Sequence, residues 1–296
     1  MTTSLASSDK IDEIAACSED YTPCTCDESS TGGGWSVSCD QVAIQTVKSL
    51  FDRKTPHDLA LFKLSLASSE RDLIPADLLG DTRTGEINLN CSAAVAYELI
   101  VDVGAFRSSE NLTKVVTING CDFASQPNFA FLSGFAELAN LNIYHSKNFF
   151  SFEGLPAQSK LYYISILYSS GFDSLVNITV ALPKLRMLYL HDNDLDDVSV
   201  ANVLWSLALS SRESLQELRL YNNKLTTIPE IISSFSKLNQ LMMENNSIRS
   251  IRTRSLAFFG YVSYLNLGNN NMRDIEPSAF GGEKRFRVAV IIAVFF

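Results

Sequence analysis

Several kinds of residue and segment are scarce in this sequence. Its 296 residues include two tryptophans, three histidines and eight prolines, and only 19% of them are charged. The longest unbroken apolar run covers residues 288–296, far fewer than the roughly 20 residues of a membrane-spanning helix. We therefore predict no membrane span in this chain.

The sequence also lacks the motifs of common catalytic sites. It has no G-x-S-x-G, H-E-x-x-H, P-loop or dinucleotide fingerprint, and His57, His145 and His191 are far apart in the chain. The acidic stretch 192–197 is similar to a calcium loop, but Asp197 and Val203 stand where that loop needs glycine and glutamate. We predict a protein that is not an enzyme and holds no metal or cofactor. A surface calcium contact at 192–197 is the alternative.

Acidic residues outnumber basic ones, and the net charge is −9. Because nucleic-acid sites are basic, this charge argues against nucleic acid as a partner. The charge is uneven: residues 1–60 carry four Lys or Arg against ten Asp or Glu, and residues 237–296 carry eight against four. Arg249, Arg252 and Arg254 form a local basic patch, which is either a binding site or a solvated edge.

The pattern L-x-x-L-x-L-x-x-N-x-L recurs in the second half of the chain. It begins at Leu185, Leu215, Leu238 and Val262, and its asparagines are Asn193, Asn223, Asn246 and Asn270. This period and spacing resemble those of leucine-rich repeats. The resemblance implies an α/β solenoid, with a curved parallel β-sheet on the concave face and an irregular or short-helical convex face. Solenoids present surfaces for other molecules, so the expected function is recognition.

Weaker repeats precede these four. With the middle apolar residue as anchor, nine units are centred at Leu64, Ile87, Val116, Leu141, Ile164, Leu188, Leu218, Leu241 and Leu265. The register of the third unit is open, because Leu112 lies one place early. We assign residues 41–280 to the repeat domain.

Each repeat predicts a short strand followed by a polar turn. Alternate strand residues point into the stack, and a column of asparagine amides can satisfy backbone groups that the turns bury. Ser92, Cys121, Ser146 and Ser169 hold the asparagine position in the earlier units. The longest unit contains residues 198–210, whose helix-period apolar residues predict a convex helix with a structural role, with Trp205 on its flank.

Six cysteines form two groups. Cys17, Cys24, Cys26 and Cys39 precede the repeats and resemble the N-terminal cysteine cap of extracellular leucine-rich repeat proteins, which we place at residues 17–40. Sequence alone allows three pairings; the resemblance implies Cys17 with Cys26 and Cys24 with Cys39. Zinc is the competing interpretation, but there is no C-x2-C pair and no histidine. Cys91 and Cys121 either form a third bridge or are buried thiols.

Four N-x-[ST] sequons, at Asn90, Asn111, Asn177 and Asn245, predict glycosylation if the chain is secreted. Together with the cysteine cap they favour an extracellular location. Residues 1–10 lack the apolar core of a signal peptide, so we expect the true start to lie upstream or to be misassigned. Residues 1–16 are predicted to be unstructured. The repeat stops after Phe280 without a cysteine cap, so we expect 281–296 to be a truncated or artefactual tail.

The cap sequence CTC at Cys24–Cys26, the degenerate early units, the Ile-Asn-Gly-Cys turn at 118–121 and the regular later units are together typical of arthropod secreted leucine-rich repeat proteins. The chain resembles the Oplophorus-luciferin 2-monooxygenase non-catalytic subunit family over residues 17–280. That resemblance implies a secreted glycoprotein without catalytic activity, accompanying a separate enzyme.

Outward positions of the predicted strands point to a binding surface for another protein. The candidates are Tyr163, Met187, Tyr189, His191, Arg219, Tyr221, Met242 and Tyr264. Tyr, Met and Arg are enriched in protein interfaces because they offer large contact areas with a polar group. The alternative is that these aromatic residues stack across strands for stability. The leading hypothesis is an extracellular protein-binding scaffold, and the second is an accessory subunit of a secreted oxidoreductase.

Overall fold

The structure is a computed structural model, and it describes most of the chain. The described residues are 17, 20–29, 33–66, 73–91, 98–126, 128–148, 152–156, 160–171, 181–256, 263–279 and 289–291. The predictions made for residues 1–16, Ser92, Asn177, Val262 and Phe280 lie outside these residues.

Twelve strands form one large sheet, and four short strands form two further pairs. In chain order the strands are β1 (Thr25–Glu28), β2 (Trp35–Asp40), β3 (Asp58–Ser65), β4 (Leu73–Ile74), β5 (Arg83–Asn90), β6 (Ile100–Val101), β7 (Val115–Asn119), β8 (Asn140–Tyr144), β9 (Tyr163–Leu167), β10 (Met187–Tyr189), β11 (Glu217–Arg219), β12 (Gln240–Met242), β13 (Ser250–Ile251), β14 (Tyr264–Asn266), β15 (Asp274–Ile275) and β16 (Ala289–Ile291). Only β1 and β2 pair antiparallel, and every later pair in the large sheet is parallel. The predicted leucine-rich repeat solenoid is confirmed.

The connections between strands contain few helices. The α-helices are α1 (Ile44–Phe51) and α2 (Asp197–Ser211), and short 3-10 segments cover Arg107–Ser109, Ala130–Leu132 and Glu230–Ser234. The small pairs β4–β6 and β13–β15 lie in these connections. Helix α2 begins after Asp196, whose carboxylate accepts a hydrogen bond from the Ser199 backbone N–H at 2.8 Å, a usual N-cap arrangement.

The strand register supports eight of the nine predicted anchors and corrects one. Ile87 stands opposite Val116, which fixes the third unit, and the same row continues through the anchors to Leu265. On the other side, Ile87 stands opposite Phe62 rather than Leu64. The predicted first anchor was therefore wrong by two residues. Both Phe62 and Leu64 point inward because strand side chains alternate, so a slip of two keeps the same face.

One hydrophobic core runs along the whole stack, from Tyr21 to Ala279. Its middle is rich in phenylalanine, and Phe123, Phe129, Phe131, Phe135 and Phe152 are all nearly inaccessible. The rings of Phe123 and Phe129 contact at 5.9 Å between centroids. Burying each such side chain contributes about 1.5–3 kcal/mol. No repeat can bury these rings alone, so they stabilise the fold only when neighbouring repeats stack.

A ladder of polar side chains runs beside this core. The Asn223 amide donates to the backbone oxygens of Leu190 at 2.9 Å and Leu220 at 3.0 Å, and its oxygen accepts from the Leu195 N–H at 2.9 Å. Asn193, Asn246 and Asn270 make equivalent bonds. In the earlier units the ladder continues through serine and cysteine: the Cys121 N–H donates to Ser146 Oγ, and the Ser146 N–H donates to Ser169 Oγ.

Disulfides secure the first part of the stack. Cys17 pairs with Cys26 and Cys24 pairs with Cys39, the pairing that the cap resemblance implied. Since β2 pairs with β3 in parallel, the cap is part of the sheet rather than a separate unit. Cys91 and Cys121 form a third bridge between adjacent repeats, which decides the alternative that the sequence left open.

The sheet also extends past the predicted end of the repeats. We placed residues 281–296 in a tail, but Ala289–Ile291 forms β16 and pairs in parallel with β14. Part of the expected tail therefore covers the last strand of the regular repeats. The backbone hydrogen bonds of β14 would otherwise be open at that edge.

Candidate functional site

The outward side chains of the large sheet form columns, because successive strands are in register. Tyr163, Met187, Glu217, Gln240 and Tyr264 make one column, and Ser165, Tyr189, Arg219, Met242 and Asn266 make the next. A third column contains His191, Tyr221 and Glu244, since the Asp192 N–H donates to Tyr221 O and the Asn222 N–H to Glu244 O. We call the eight predicted site residues the concave-face cluster.

The centre of the concave-face cluster is a network around Tyr189. Its hydroxyl donates to Glu217 Oε1 at 2.9 Å, and the Arg219 Nε donates to the same oxygen at 2.7 Å. The Arg219 guanidinium also lies over the Tyr189 ring, 4.0 Å from its centroid, a cation–π contact. The Tyr163 ring meets the Tyr189 ring edge-on at 4.9 Å. Three neighbouring strands thus hold one tyrosine in a fixed position.

His191 and Tyr221 make a second contact in the same cluster. Their rings are stacked with centroids 4.0 Å apart, and His191 Nδ1 lies 2.7 Å from Asp192 Oδ2. Asp192 in turn accepts from the Asn222 amide at 2.7 Å. His191 was predicted as an outward contact residue, but only 7% of it is exposed. It therefore supports Tyr221 rather than presenting its own ring to solvent.

The remaining predicted residues contact the central network less closely; they are Met187, Met242 and Tyr264. Met187 contacts the Tyr189 hydroxyl through its sulfur at 3.7 Å, and Met242 stands opposite Arg219 in the strand register. Tyr264, on β14, stands opposite Gln240 on β12, and β14 is two strands beyond β11, the last strand of the central network. Because neighbouring strands lie about 4.8 Å apart, this separation places Tyr264 at the edge of the cluster rather than in its centre.

Two glutamates belong to the site, although we did not select them from the sequence. Glu217 is 8% exposed and joins Tyr189 to Arg219. Glu244 stands beside Tyr221, and burial raises the pKa of its carboxyl group. Its Oε2 atom is buried and has no hydrogen-bond partner among the described residues. Their positions on outward columns, next to Arg219 and Tyr221, were the signal that could have identified them.

Burial also affects the titration of the aromatic groups. It raises the pKa of Tyr189, and the hydrogen bond to Glu217 raises it further. The pKa of Tyr221 is raised as well, again mainly by burial. Both tyrosines are therefore neutral at physiological pH and keep a hydroxyl hydrogen to donate. The site offers aromatic surface, hydroxyl groups and one arginine, with no reactive nucleophile among these residues.

The acidic stretch 192–197 has structural contacts of its own. The Asp192 carboxylate accepts a hydrogen bond from the Asn222 amide, and Asp196 is the N-cap of α2. Asp194 Oδ2 forms an ion pair with Lys224 Nζ at 3.3 Å. Asp197 accepts from the backbone N–H groups of Thr226 and Thr227. Among the described residues, no group of three His, Cys, Asp or Glu side chains is placed to hold a metal ion. These carboxylates therefore serve the fold.

Three of the predicted glycosylation sites lie in the described part of the chain. Asn90 ends β5, Asn111 is exposed after the 3-10 segment Arg107–Ser109, and Asn245 is exposed after β12. The centre of the concave-face cluster lies on β9 to β11, between Asn90 and Asn245 in strand order. Whether sugars are attached stays a prediction.

We expect the stability of the protein to fall in mild acid because of His191. Burial lowers the pKa of His191, and the hydrogen bond to Asp192 only partly opposes this. As the pH falls below about 6.5 towards the lowered folded-state pKa, the unfolded chain binds more protons at this residue, so the free energy of unfolding decreases; above about 6.5 it is unaffected. Urea titrations across this range should show a smaller decrease for a His191→Gln variant.

The exposed His145 provides the control for this experiment. A His145→Gln variant should keep the pH dependence of the wild-type protein. If His191→Gln and His145→Gln change that dependence equally, burial of His191 is not its cause.

The chain is similar to known repeat proteins. A sequence model described as Leucine Rich Repeat matches residues 214–235, which contain the β11 strand and Asn223 of the ladder. The chain is a leucine-rich repeat protein. Proteins of this family usually bind other proteins. The narrower resemblance to the luciferin monooxygenase subunit family is not supported.

Two curated relatives show how far the similarity of this leucine-rich repeat protein extends. The chain is 30% identical over 229 residues to the volume-regulated anion channel subunit LRRC8D of Rattus norvegicus, covering 75% of this chain and 25% of that protein. It is 33% identical over 117 residues to osteomodulin of Bos taurus, covering 40% of this chain and 25% of that protein. The chain thus spans about a quarter of the length of either relative. No described helix is long and apolar enough to cross a membrane.

Solved structures also align with this chain at low sequence identity. A leucine-rich repeat protein of Leptospira interrogans aligns with a TM-score of 0.49 and 17% identity, over 86% of this chain and 65% of that one. TLR13, in a complex with ssRNA13, aligns with a TM-score of 0.49 and 15% identity, over 86% of this chain and 32% of that one. Our expectation that nucleic acid is not a partner of this leucine-rich repeat protein stays a prediction.

Proposed function

We propose that this protein is an extracellular, non-enzymatic scaffold that binds a protein partner through its concave face. The central contact is the network of Tyr163, Tyr189, Arg219 and Tyr221 on β9, β10 and β11. Glu217 accepts hydrogen bonds from Tyr189 and Arg219, and His191 stacks on the ring of Tyr221. The geometry fits recognition better than catalysis, since its polar groups are engaged with one another in fixed positions.

The fixed position of Tyr189 is the observation that supports this proposal most. Tyrosine and arginine are frequent energetic centres of protein interfaces. Here Glu217 binds both the Tyr189 hydroxyl and the Arg219 guanidinium, so neither side chain is free to rotate in the unbound protein. A partner that binds them loses little further side-chain entropy, which improves affinity.

Disulfides support the extracellular location. All six cysteines are paired, in three bridges. Disulfides of this kind persist in oxidising environments and are rare in the cytosol. The exposed sequons at Asn111 and Asn245 agree with this location, since glycosylation of such sites requires secretion.

The proposal predicts that a Tyr189→Ala/Tyr221→Ala variant loses its partner. A photo-crosslinking residue at Met242, in the middle column of the sheet, should capture a partner from native extracellular fluid, whereas the same residue at Leu209 on α2 should not. Binding of the captured protein should then weaken about 30-fold or more in the double variant, because the two truncations together cost roughly 2 kcal/mol or more.

Two tyrosines outside the cluster provide the matched control. Tyr162 is 37% exposed and Tyr168 is 54% exposed, and a Tyr162→Ala/Tyr168→Ala variant should bind as the wild type does. Circular dichroism must show that both variants are folded. Unchanged binding by a folded Tyr189→Ala/Tyr221→Ala variant would reject the concave-face proposal.

The second hypothesis from the sequence, an accessory subunit of a secreted monooxygenase, rests on the family resemblance alone. It requires a stoichiometric enzyme chain, so the photo-crosslinking experiment also tests it: the captured partner would have to be an oxidoreductase. No contact within the concave-face cluster favours that partner over another protein.

A further inference from the structure

The outer face of helix α2 is apolar and exposed. Val198 is 66% exposed, Trp205 is 61% exposed and Leu209 is 75% exposed. These positions are separated by seven and four residues, so they form one line along the helix. The opposite face is buried in the core as predicted, through Val200, Val203, Leu204, Leu207 and Ala208. A helix that is apolar on both faces is normally covered on both, so the outer face of α2 is suited to a partner.

The neighbouring unit leaves this outer face open. The unit that contains α2 has 30 residues between Leu188 and Leu218, whereas the next unit has 23. Helix α2 therefore stands beside a shorter 3-10 segment, Glu230–Ser234, and a groove of 670 Å³ is lined by α2, this segment and the turn after β13. The lining of the groove carries three carboxylates and two guanidiniums, so its charge favours neither an anionic nor a cationic ligand. The apolar line on α2 is the more specific feature.

The composition of this helix matches that of a second copy of itself. It carries no charged residue from Val198 to Ser211, so two copies can approach along this length without burying a charge. Asn202 lies between Val198 and Trp205 on the same line. Within the described part of the chain, neither the Asn202 amide nor the Trp205 indole N–H has a hydrogen-bond partner. The line thus offers one amide acceptor and one indole donor, which a second copy can pair.

The two ends of α2 differ in charge, and this difference sets the direction of a second copy. The N-terminal end carries three aspartates, of which the first is paired with a lysine: Asp194, Asp196 and Asp197. Arg212 and Glu213 follow the C-terminal end, where the Glu213 carboxylate accepts from the Ser236 hydroxyl at 2.6 Å. A parallel copy would place two acidic ends together. An antiparallel copy brings Arg212 to the acidic end and aligns the helix dipoles favourably.

We propose that a second copy of this chain docks on the outer face of α2, with the two helices antiparallel. Val198 of one copy then contacts Leu209 of the other, and Trp205 contacts Asn202. Both pairs fit one two-fold axis, because the midpoint of each pair lies between residues 203 and 204. A single helix from each copy buries less area than a standard interface, so we expect a weak dimer with a dissociation constant on the order of 10–100 µM.

Sedimentation equilibrium of the full chain tests for the dimer. The mean mass of the wild type should rise towards that of a dimer between about 1 and 500 µM. A Leu209→Glu variant should associate about tenfold more weakly or worse, because the contact would bury a charge. Val103 is an exposed apolar residue outside α2, and a Val103→Glu variant should associate as the wild type does. Both positions are exposed, so both variants should fold, which circular dichroism checks.

Engineered cysteines test the register of the two helices. No native cysteine is free, so a new cysteine supplies a single reactive thiol. Under mild oxidation, a mixture of Val198→Cys and Leu209→Cys variants should form a linked dimer, because facing Cα atoms of packed helices come within disulfide range. Each variant alone should link poorly. The antiparallel pairing separates identical positions by 11 residues, or roughly 16 Å along the axis.

Several results would overturn the proposal. These are a monomer at every concentration, equal weakening by Leu209→Glu and Val103→Glu, and a Val198→Cys variant that links to itself as readily as to Leu209→Cys. Binding to phosphatidylcholine vesicles that abolishes self-association would identify a lipid surface as the occupant instead.

This contact and the concave face are tested independently. The Tyr189→Ala/Tyr221→Ala variant should dimerise as the wild type does. A photo-crosslinking residue at Leu209 should link the chain to a second copy of itself and to no other protein, whereas the same residue at Met242 should capture the concave-face partner.

Discussion

Replacing Asn223 by alanine should lower the free energy of unfolding by about 3 kcal/mol or more. The Asn223 side chain is 8% exposed and accepts hydrogen bonds from the N–H groups of Asn193 and Leu195. It also donates to the backbone oxygens of Leu190 and Leu220. Alanine leaves these backbone groups buried without partners, at a cost of roughly 1–3 kcal/mol each. Urea unfolding followed by circular dichroism measures the loss.

Asn142 provides the matched control for the ladder. Its side chain lies on the sheet face and makes one long hydrogen bond, to Thr117 Oγ1 at 3.3 Å. An Asn142→Ala variant should therefore change the free energy of unfolding by less than about 1 kcal/mol. Hydrogen exchange should localise the Asn223→Ala effect to the amides of Asn193 and Leu195. Equal stability losses in the two variants would mean that the ladder is not a special source of stability.

Replacing Gly154 by alanine should destabilise the stack by a similar or larger amount. Gly154 has φ +85°, and an added Cβ would lie 2.5 Å from the carbonyl carbon of Phe129 and 2.7 Å from Ala130 Cα. Both atoms belong to the backbone of the adjacent repeat, which would have to move. Phe129 is fully buried, and its N–H donates to Glu153 O at 2.7 Å. We expect a loss of about 3 kcal/mol or more, combining backbone strain and overpacking.

Gly134 is the control for this prediction. The three atoms nearest to an added Cβ there all belong to the carboxylate end of the Glu110 side chain, which can move away by rotating. A Gly134→Ala variant should therefore lose less than about 1 kcal/mol. Thermal unfolding of both variants measures the difference. If Gly154→Ala is as stable as Gly134→Ala, the repeats are not packed as closely at this turn as the structure describes.

The candidate site was only partly predictable from the sequence. Alternation along each strand identified which residues face outward, and repeat spacing indicated which strands are neighbours. The contacts between Tyr163, Tyr189 and Arg219 follow from those two facts. The burial of His191 beneath Tyr221, and the joining of Tyr189 to Arg219 by Glu217, depend on side-chain rotamers across strands. No sequence period contains that information.

The sequence by itself determined the repeat architecture, the asparagine ladder and helix α2, because each is a local pattern repeated at constant spacing. The tertiary structure alone decided four other features. Phe62 rather than Leu64 leads the first row, Cys91 bridges Cys121, β16 extends the sheet and a groove lies beside α2. Each of these depends on how neighbouring units are placed against each other. A periodic pattern is preserved when one unit slips or lengthens, so only the packed stack fixes such relations.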